Sequence, residues 1–411
     1  MRLDGAKDKK LSIGFICDTI PNNPPLTGGT NRLYHLSKSL IKLGHSPHWF
    51  ICNRFAKSQK DLIGLEDLPC KSLQLIPPKT FYCADKLSRL INKTHIDILQ
   101  FESSQEFLRI GPEIRKLTGL PIVLEMHDIE ADLAEIYRKS NNRDLSYFVQ
   151  YLAGFYSDAV VSMTPGDTGI LIDKLQLPKD KVFLVPNGIK PISQYRGEKE
   201  ERLVFLGNMH YPPNAEGLSY FIKKAWPQVS ERHPNAELLV VGMAPEALIK
   251  NLSSLKIHFY GRITDMVQFR KILGTSSVGL CVLAKGSGMK VKILDYANAG
   301  LPIVATPLGI SGYEQIKSIV SCRLNPQEIS NACSSLLADK EGAKLRGERT
   351  RREILKYFNW NKLAKGMERV YDRAISGASL SWENMPLPES FWLSEKRGLS
   401  KVSSSILTLK K

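Results

Sequence analysis

The sequence contains no long hydrophobic run. None of its stretches approaches the roughly 18–20 consecutive apolar residues that an α-helix needs to span a bilayer. The apolar segment Leu11–Cys17 follows a charged N-terminus, but it is too short for a signal sequence and is typical of a first β-strand. The sequence therefore argues against a membrane-spanning protein. We expect a cytoplasmic one, and peripheral contact with the inner face of the membrane stays open.

The sequence also lacks paired cysteines. Its seven cysteines are an odd number, none belongs to a Cys-x-x-Cys pair, and several lie in apolar runs. This pattern argues against a disulfide framework and against a zinc site. It favours buried free thiols in a reducing compartment.

Several cofactor and partner signatures are missing. No Asp-x-Asp pair of the kind that holds a metal on a diphosphate is present, so we expect a reaction that needs no metal. The loop around Gly28 and Gly29 lacks the Gly-x-Gly-x-x-Gly pattern, which argues against a dinucleotide cofactor. No DNA- or RNA-binding signature is evident, so we expect no nucleic acid partner.

What the sequence has in excess is positive charge. Its 57 Lys and Arg against 41 Asp and Glu give a formal net charge of +16. The segment Lys344–Lys411 alone holds 15 Lys and Arg against 7 Asp and Glu. Such a balance favours anionic partners, among them a nucleotide-sugar or the headgroups of a membrane leaflet. The basic C-terminal segment is either a solvated surface or a contact with anionic membrane.

Apolar runs alternate with helical patterns along the whole chain. Runs such as Ile122–Met126 are continuously apolar, which is typical of parallel strands covered on both faces. A turn at Pro186-Asn187-Gly188 and the polar stretch after it interrupt the alternation, which then restarts. The sequence therefore predicts an α/β protein with two Rossmann-like, doubly wound domains facing across a cleft. The predicted divisions are 1–188, 189–358, a C-terminal helix 359–376 whose return to the first domain stays open, and a basic tail 377–411.

Three local predictions concern helix boundaries. Thr30 is a candidate N-cap for a helix that carries apolar residues at helical spacing. A helix is predicted over Ile129–Leu152, and helical structure near Lys344–Ala374.

The segment Lys285–Thr306 carries the strongest functional signal. A glycine-broken loop precedes a helix with lysines and then a carboxylate, and a Gly-Leu-Pro turn leads into a β-branched strand. Free N–H groups at a helix start attract anions, and small residues let a phosphate come close. A carboxylate one turn later can accept hydrogen bonds from a sugar hydroxyl. These are the parts of a nucleotide-diphosphate site.

Several motifs, in this order, resemble those of the family-4 (group 1) glycosyltransferases, which have the GT-B fold. The resemblance covers roughly Ser12 to Ala374. Each motif alone is weak, whereas their order and spacing together are fairly specific. The motifs are Gly28-Gly29-Thr30, Glu125-Met126-His127-Asp128, Val185-Pro186-Asn187-Gly188, Phe205-Leu206-Gly207-Asn208, Val241-Gly242 and Lys285–Thr306.

The resemblance implies roles for residues of the first domain, on the acceptor side. Gly28 and Gly29 match a loop whose backbone approaches the donor phosphate or the acceptor; the alternative is a simple strand-to-helix turn. His127 matches a position near the transferred sugar, where Asp128 and Glu125 can assist it. The alternative is that Asp128 caps the next helix and His127 packs in the core.

The resemblance implies further roles in the second domain, on the donor side. Lys290 and Lys292 match basic residues around the donor diphosphate, and Lys292 is a candidate catalytic residue. Asp295 matches the carboxylate that holds the ribose. Gly207 and Asn208 match a second phosphate-facing turn. The loop contacts are assigned to Gly286, Ser287, Gly288 and Met289.

The sequence departs from the family pattern in two places. Ser287 stands where the first of two carboxylates is expected, eight residues before Asp295. The Arg and Lys that many members have after Gly207 are replaced here by Asn208, His210, Tyr211 and Asn214. Lys290 and Lys292 would then carry most of the charge compensation.

The function that the resemblance implies is a retaining, hexosyltransferase-type enzyme. It would move a sugar from a nucleotide-sugar, such as a UDP-sugar, to a saccharide or lipid-linked acceptor in cell-envelope polysaccharide or glycoconjugate synthesis. The nucleotide-sugar is then a substrate, and no cofactor is expected. Two alternatives stay open: a nucleotide-sugar epimerase on the same fold, and a non-catalytic nucleotide-sugar binder.

Overall fold

The computed structural model describes residues 10–18, 28–55, 67–132, 143–195, 197, 199–254 and 256–377. The predicted tail lies outside these ranges except for Gly377. The described residues form two parallel β-sheets with helices on their faces, one sheet in each half of the chain. This arrangement confirms the predicted fold class.

The first half contains a seven-stranded parallel sheet in the order β3-β2-β1-β4-β5-β6-β7. The reversal of strand order beside β1 is the position where doubly wound sheets bind ligands. The strands are β1 Ser12–Cys17, β2 Ser46–Cys52, β3 Ser72–Ile76, β4 Ile98–Phe101, β5 Ile122–Met126, β6 Ala159–Ser162 and β7 Val182–Leu184. The helices are α1 Gly28–Lys42, α2 Pro78–Phe81, α3 Ala84–Lys93, α4 Ser104–Thr118, α5 Arg143–Tyr156 and α6 Pro165–Gly169, with helical turns at Asn53–Phe55, Ile170–Lys174 and Lys179–Lys181.

The second half contains a six-stranded parallel sheet in the order β10-β9-β8-β11-β12-β13. Its strands are β8 Arg202–Leu206, β9 Glu237–Val241, β10 Ile257–Gly261, β11 Val278–Cys281, β12 Ile303–Ala305 and β13 Val320–Ser321. Its helices are α7 Pro212–Tyr220, α8 Trp226–Arg232, α9 Glu246–Leu252, α10 Met266–Thr275, α11 Lys292–Asn298, α12 Pro326–Ala338, α13 Lys340–Tyr357 and α14 Trp360–Ser376, with a π-helical turn at Phe221–Ala225.

The helical region near Lys344–Ala374 is two helices. Helix α13 ends at Tyr357, and the Asn359 side chain accepts a hydrogen bond from the Asn361 backbone N–H to cap α14. Helix α14 then packs against α1, β5 and β6 of the first half. Its Tyr371 hydroxyl donates to the Gln100 side chain at 2.7 Å. The chain therefore returns to the first sheet after completing the second.

Two other helix boundaries differ from the prediction. Thr30 lies inside α1, which already includes Gly28, so Thr30 is not its N-cap. The predicted helix Ile129–Leu152 falls partly outside the described residues, and its last described part, α5, continues to Tyr156. No helix among the described ranges combines the length and hydropathy needed to cross a membrane.

Candidate active site

Glycines with left-handed backbone shape the loop that precedes α11. Gly286 has φ 138° and Gly288 has φ 67°, values that residues with a Cβ rarely adopt. The ammonium of Lys290 lies inside this loop and donates hydrogen bonds to the Ser287 and Gly288 carbonyls at 2.7 and 2.6 Å. Burial lowers the pKa of Lys290. Lys290 therefore fixes the loop conformation from within.

Lys292 begins α11 and points toward the loop that follows β8. Its Nζ donates to Asn214 Oδ1 at 2.7 Å and lies 4.5 Å from the centre of the Phe205 ring. Burial, the largest influence, lowers the pKa of Lys292 to about 8. An ammonium that has lost much of its water and has few partners gains strongly from a nearby anion.

The same asparagine organises the turn after β8. The Asn214 amide nitrogen donates to the Asn208 carbonyl at 3.0 Å. Gly207 has φ 153°, and a Cβ at that position would press against the Asn214 amide at 2.7 Å. Gly207, Asn208 and Lys292 are thus joined through one side chain.

Asp295 lies one turn after Lys292 on α11. The residue is half-buried, and burial raises the pKa of its carboxyl to about 7. At neutral pH the group is therefore partly protonated, and a bound hydroxyl would favour its charged form.

The glycine loop of the second half touches the first half directly. Ile129 N–H donates to the Ser287 hydroxyl at 2.8 Å. A Cβ on Gly288 would overlap the Asp128 carboxylate and approach the His127 carbonyl to 2.7 Å. Only a glycine fits here. The lack of a side chain at position 288 lets the loop before α11 lie directly against Asp128 and the His127 carbonyl.

Met289 and Gly28 extend this contact between the halves. The Asn187 N–H lies 3.2 Å from the Met289 sulfur. A Cβ on Gly28 would lie 3.3 Å from the Val291 side chain, whereas Gly29 is exposed and has no atom within 4 Å of such a Cβ. Gly28 is therefore part of the junction, and Gly29 borders open space.

His127 belongs to a network of buried charges behind this junction. Its Nε2 lies 3.3 Å from Glu102 and 3.8 Å from Glu125, whose carboxylate accepts two hydrogen bonds from Arg32 at 2.6 and 2.9 Å. Arg32 also donates to the Pro186 carbonyl at 2.8 Å. The His127 side chain is 27% exposed, so it reaches solvent while the other three support it.

Burial and the contacts within this network shift the pKa values of its members. Burial lowers the pKa of His127, but the hydrogen bond to Glu102 and the charge of Glu125 outweigh burial and raise it above its usual value. Burial raises the pKa of Glu102. Burial also acts to raise the pKa of Glu125, but the Arg32 guanidinium outweighs it and lowers that pKa. A positively charged His127 can donate a hydrogen bond to an oxygen in the cleft.

Three members of the network have the chemistry of metal ligands. Glu102, Glu125 and His127 each offer one ligand atom within 4.8 Å of the others. Arg32 already binds both oxygens of Glu125, however, so a cation there would have to displace an ion pair that is 0% exposed. The set fits an ion-pair network better than a metal centre.

Sequence reasoning missed two residues of this network. Arg32 lies on α1, far from Glu125 in sequence, and no local pattern pairs them. Glu102 directly follows β4, and its position at a strand end was a signal that could have found it. The capping role considered for Asp128 concerns the predicted helix Ile129–Leu152, part of which lies outside the described residues.

Comparisons with known proteins agree with this architecture. A sequence model for "Glycosyltransferase Family 4" matches residues 26–191, and one for "Glycosyl transferases group 1" matches residues 200–339. The glycosyltransferase of Rickettsia africae ESF-5 shares the fold with a TM-score of 0.65 at 14% identity, covering 90% of this chain and 99% of that one. The Anabaena protein HepE, solved with UDP-glucose, gives a TM-score of 0.65 at 13% identity over 90% and 100% of the two chains.

Curated relatives are distant. The chain is 22% identical over 181 residues to an uncharacterized protein of the cps region of Klebsiella pneumoniae, which is 41% of this chain and 46% of that protein's length. A phosphatidylinositol N-acetylglucosaminyltransferase component of Arabidopsis thaliana is 22% identical over 401 residues, which cover 92% of this chain and 85% of that one.

The two parallel sheets have the GT-B fold that these solved structures share. Because the two family models together match most of the chain, it belongs to the group 1, family 4 glycosyltransferases.

Proposed function

We propose that the protein transfers a hexose, with retention, from a UDP-sugar to a saccharide or lipid-linked acceptor in cell-envelope polysaccharide or glycoconjugate synthesis. One observation carries the proposal: the Gly286–Gly288 loop, which leads into α11 and Lys292, contacts Asp128, His127 and Ile129 where the two halves meet. The choice of UDP draws on HepE, which was solved with UDP-glucose and shares this fold.

The second half is suited to the leaving group. Negative charge grows on the diphosphate as the glycosidic bond breaks, and a fixed cation aimed at that charge lowers the barrier. Lys292 is held by Asn214 and placed at the start of α11, where the helix dipole also favours an anion. Asp295, one turn on, is positioned to accept hydrogen bonds from the ribose.

The first half is suited to the sugar and the acceptor. His127 follows the end of β5, and Glu102 and Glu125 favour its protonated form, which can donate a hydrogen bond to a sugar oxygen. The contact of Ser287 with Ile129 narrows the cleft beside it. A narrow cleft excludes water, which favours transfer to an acceptor over hydrolysis.

The test is turnover by wild type and a Lys292→Ala variant on a panel of UDP-sugars, with UDP release measured with and without acceptor. We expect the variant to lose about tenfold or more of the turnover rate, since it lacks a charge that the transition state needs. Lys285→Ala is the matched control, because Lys285 lies exposed on the loop before α11 and pairs with Glu216 of α7.

The outcomes separate the possible functions. Acceptor-dependent UDP release supports the transferase. A changed free UDP-sugar formed without acceptor would indicate an epimerase, and tight UDP binding with no turnover on any donor would indicate a non-catalytic binder. Equal rates for wild type and Lys292→Ala would remove Lys292 from the mechanism.

We also infer that the transfer needs no metal. The support is the pair formed by Lys292 and the helix start, which supplies positive charge where a metal would otherwise neutralise the diphosphate. Full activity in the presence of EDTA is the expected result. Loss of activity that added Mg²⁺ restores would overturn it.

A further inference from the structure

A cavity of about 150 Å³ opens beside His127 in the first half. It lies between the carboxyl ends of β1 and β4 and the first turn of α1, on the acceptor side of the proposed reaction. Its lining residues are Cys17, Asp18, Gly29, Thr30, Leu33, Glu102, Ser103, Glu106 and His127. Three of the nine are carboxylic acids.

Two of these carboxyl groups have protein partners. Asp18 forms a close ion pair with Arg54 and accepts a hydrogen bond from the Tyr82 hydroxyl at 3.4 Å. Glu102 binds His127 and accepts a hydrogen bond from the Gln100 amide at 3.1 Å.

The third carboxyl group is different. Glu106 is 4% exposed, and neither of its oxygens makes a hydrogen bond of good geometry with the described residues, although the Asp18 backbone N–H lies near enough to favour the charged form of the carboxyl group. Burying a carboxyl group without partners is unfavourable, and it is far more unfavourable when the group is charged than when it is neutral. Burial, and next the charges of Asp18 and Glu102, raise the pKa of Glu106 to about 9. At neutral pH Glu106 is therefore a neutral acid that can both donate and accept a hydrogen bond.

The chemistry of the cavity selects among ligands. A phosphate or carboxylate would be attracted by His127 and by the first turn of α1, but it would also lie close to Asp18 and Glu102, where like charges repel. A cation would face the first turn of α1, whose dipole is positive at that end, and a neutral Glu106 offers it no counter-charge. A hydroxyl group both donates and accepts, as a neutral carboxyl group does, and Leu33 and Cys17 provide apolar surface for the C–H face of a ring.

We propose that this cavity is the subsite for an uncharged, hydroxyl-bearing ring of the acceptor, and that Glu106 is the specificity-determining residue that binds its hydroxyls and rejects rings carrying phosphate or carboxylate. The proposal rests on the glycosyltransferase function proposed above and adds the class of acceptor to it. The neighbouring His127 places the subsite beside the reacting sugar.

The experiment measures the binding of three probes to the full-length protein in the presence of UDP: octyl β-glucoside, octyl β-glucuronide and octyl β-glucosaminide. Saturation-transfer NMR identifies binding, and competition titrations give dissociation constants. We expect the glucoside to bind about tenfold or more tightly than the glucuronide. Equal binding of the two, or tightest binding of the cationic glucosaminide, would overturn the proposal.

Two substitutions test Glu106 itself. Glu106→Gln keeps a neutral group of the same shape that donates and accepts, so glucoside binding should stay within about threefold of wild type. Glu106→Ala leaves ring hydroxyls unpaired and should weaken binding about tenfold or more. Glu113→Gln is the matched control, since Glu113 is exposed on the same helix. Wild-type binding by Glu106→Ala, or an equal loss in both Glu106 variants, would overturn the assignment.

A parallel measurement separates this inference from the proposed function. UDP affinity is determined by calorimetry for each variant, because the donor site lies in the other half. Failure of the wild type to bind UDP would count against the proposed transferase. UDP binding with no preference among the octyl probes would count only against the proposal that the cavity is an acceptor subsite.

Discussion

The Nζ atom of Lys292 lies 2.7 Å from Oδ1 of Asn214. The two residues belong to different helices of the second half, and Asn214 in turn holds the turn at Gly207 and Asn208. An amide therefore orients the ammonium without neutralising it. The hydrogen bond between Lys292 and Asn214 therefore provides an oriented cation in a chain that lacks the Arg and Lys which many family members have after Gly207.

We predict that Asn214 acts through Lys292. Asn214→Ala should weaken UDP binding about fivefold to tenfold, because the ammonium loses its orientation but keeps its charge. In a double-mutant cycle with Lys292→Ala, the Asn214 substitution should have little further effect. Calorimetric titration with UDP measures both. Fully additive losses would show that the asparagine acts on the nucleotide by another route.

We predict an optimum of UDP binding between about pH 7 and pH 8. Asp295, with a pKa of about 7, accepts ribose hydroxyls better above that pH, and Lys292, with a pKa of about 8, is charged below it. Asp295→Asn should remove the acidic limb and Lys292→Arg the alkaline limb. Affinities measured from pH 5.5 to pH 9.5 test this, and a flat profile in wild type would contradict it.

The titration of Lys292 should affect the free energy of unfolding and the affinity for UDP in opposite directions as the pH rises. Its pKa in the folded protein is below the usual 10.5 of a lysine, so between about pH 8 and pH 10.5 the unfolded chain binds more protons. Its contribution to the free energy of unfolding therefore rises with pH across that window, while UDP affinity falls. Urea denaturation of wild type and Lys292→Met at pH 7 and pH 9.5 checks the sign, with the variant expected to lose this rise.

We predict that Arg32 is essential for stability. Arg32→Met leaves the carboxylate of Glu125 buried and uncompensated, which should lower the free energy of unfolding by about 3–5 kcal/mol. The double variant Arg32→Met, Glu125→Leu should recover much of this loss, because it removes both charges. Urea denaturation compares the three proteins. A single variant as stable as wild type would mean that Glu125 takes up a proton at no cost.

We predict that Gly288→Ala disturbs the contact between the glycine loop of the second half and Asp128 of the first half. The left-handed backbone costs about 1–2 kcal/mol for a residue with a Cβ, and that atom would overlap the Asp128 carboxylate. Turnover should fall more than UDP affinity, since Lys292 and Asp295 are unchanged. Gly366→Ala is the control, because a Cβ there meets no atom within 4 Å. Equal turnover by Gly288→Ala and wild type would show that this contact is dispensable.

We predict binding to anionic membranes through the C-terminal segment. Several arginines of α13 are already engaged within the protein: Arg351 donates to the Asn298 and Ile192 carbonyls, and Arg349 pairs with Glu353. Basic residues after position 377 are therefore the ones expected to contact lipid. Co-sedimentation with vesicles containing phosphatidylserine should fall on deletion of residues 378–411, with neutral vesicles as the control. Unchanged co-sedimentation would leave the charge as a solvated surface.

Most strands were predictable because they contain a short apolar run, and Ile122–Met126 has the bounds expected from the sequence. The partly exposed β10 and the two-residue β13 carry a weaker signal. The helix ends were harder, since the break between α13 and α14 depends on a cap at Asn359 within an otherwise helical pattern.

The site was predictable where a local motif carries it and unpredictable where it depends on tertiary contacts. The sequence pointed to Lys290 and Lys292 together, yet one ammonium is used to fix its own loop and the other faces Asn214. The sequence around Arg32 and around Glu106 does not indicate that a charged or acidic side chain is buried there. Their partners, or lack of partners, follow from elements far away in sequence.

Within the described residues the chain crosses between the two halves near Ile189 and near Asn359, and these two segments run side by side. The Ile189 N–H donates to the Phe358 carbonyl at 2.7 Å, and Trp360 packs against Gly188. Because the two crossings are joined at the same place, we expect any change in the angle between the halves to pivot about these segments.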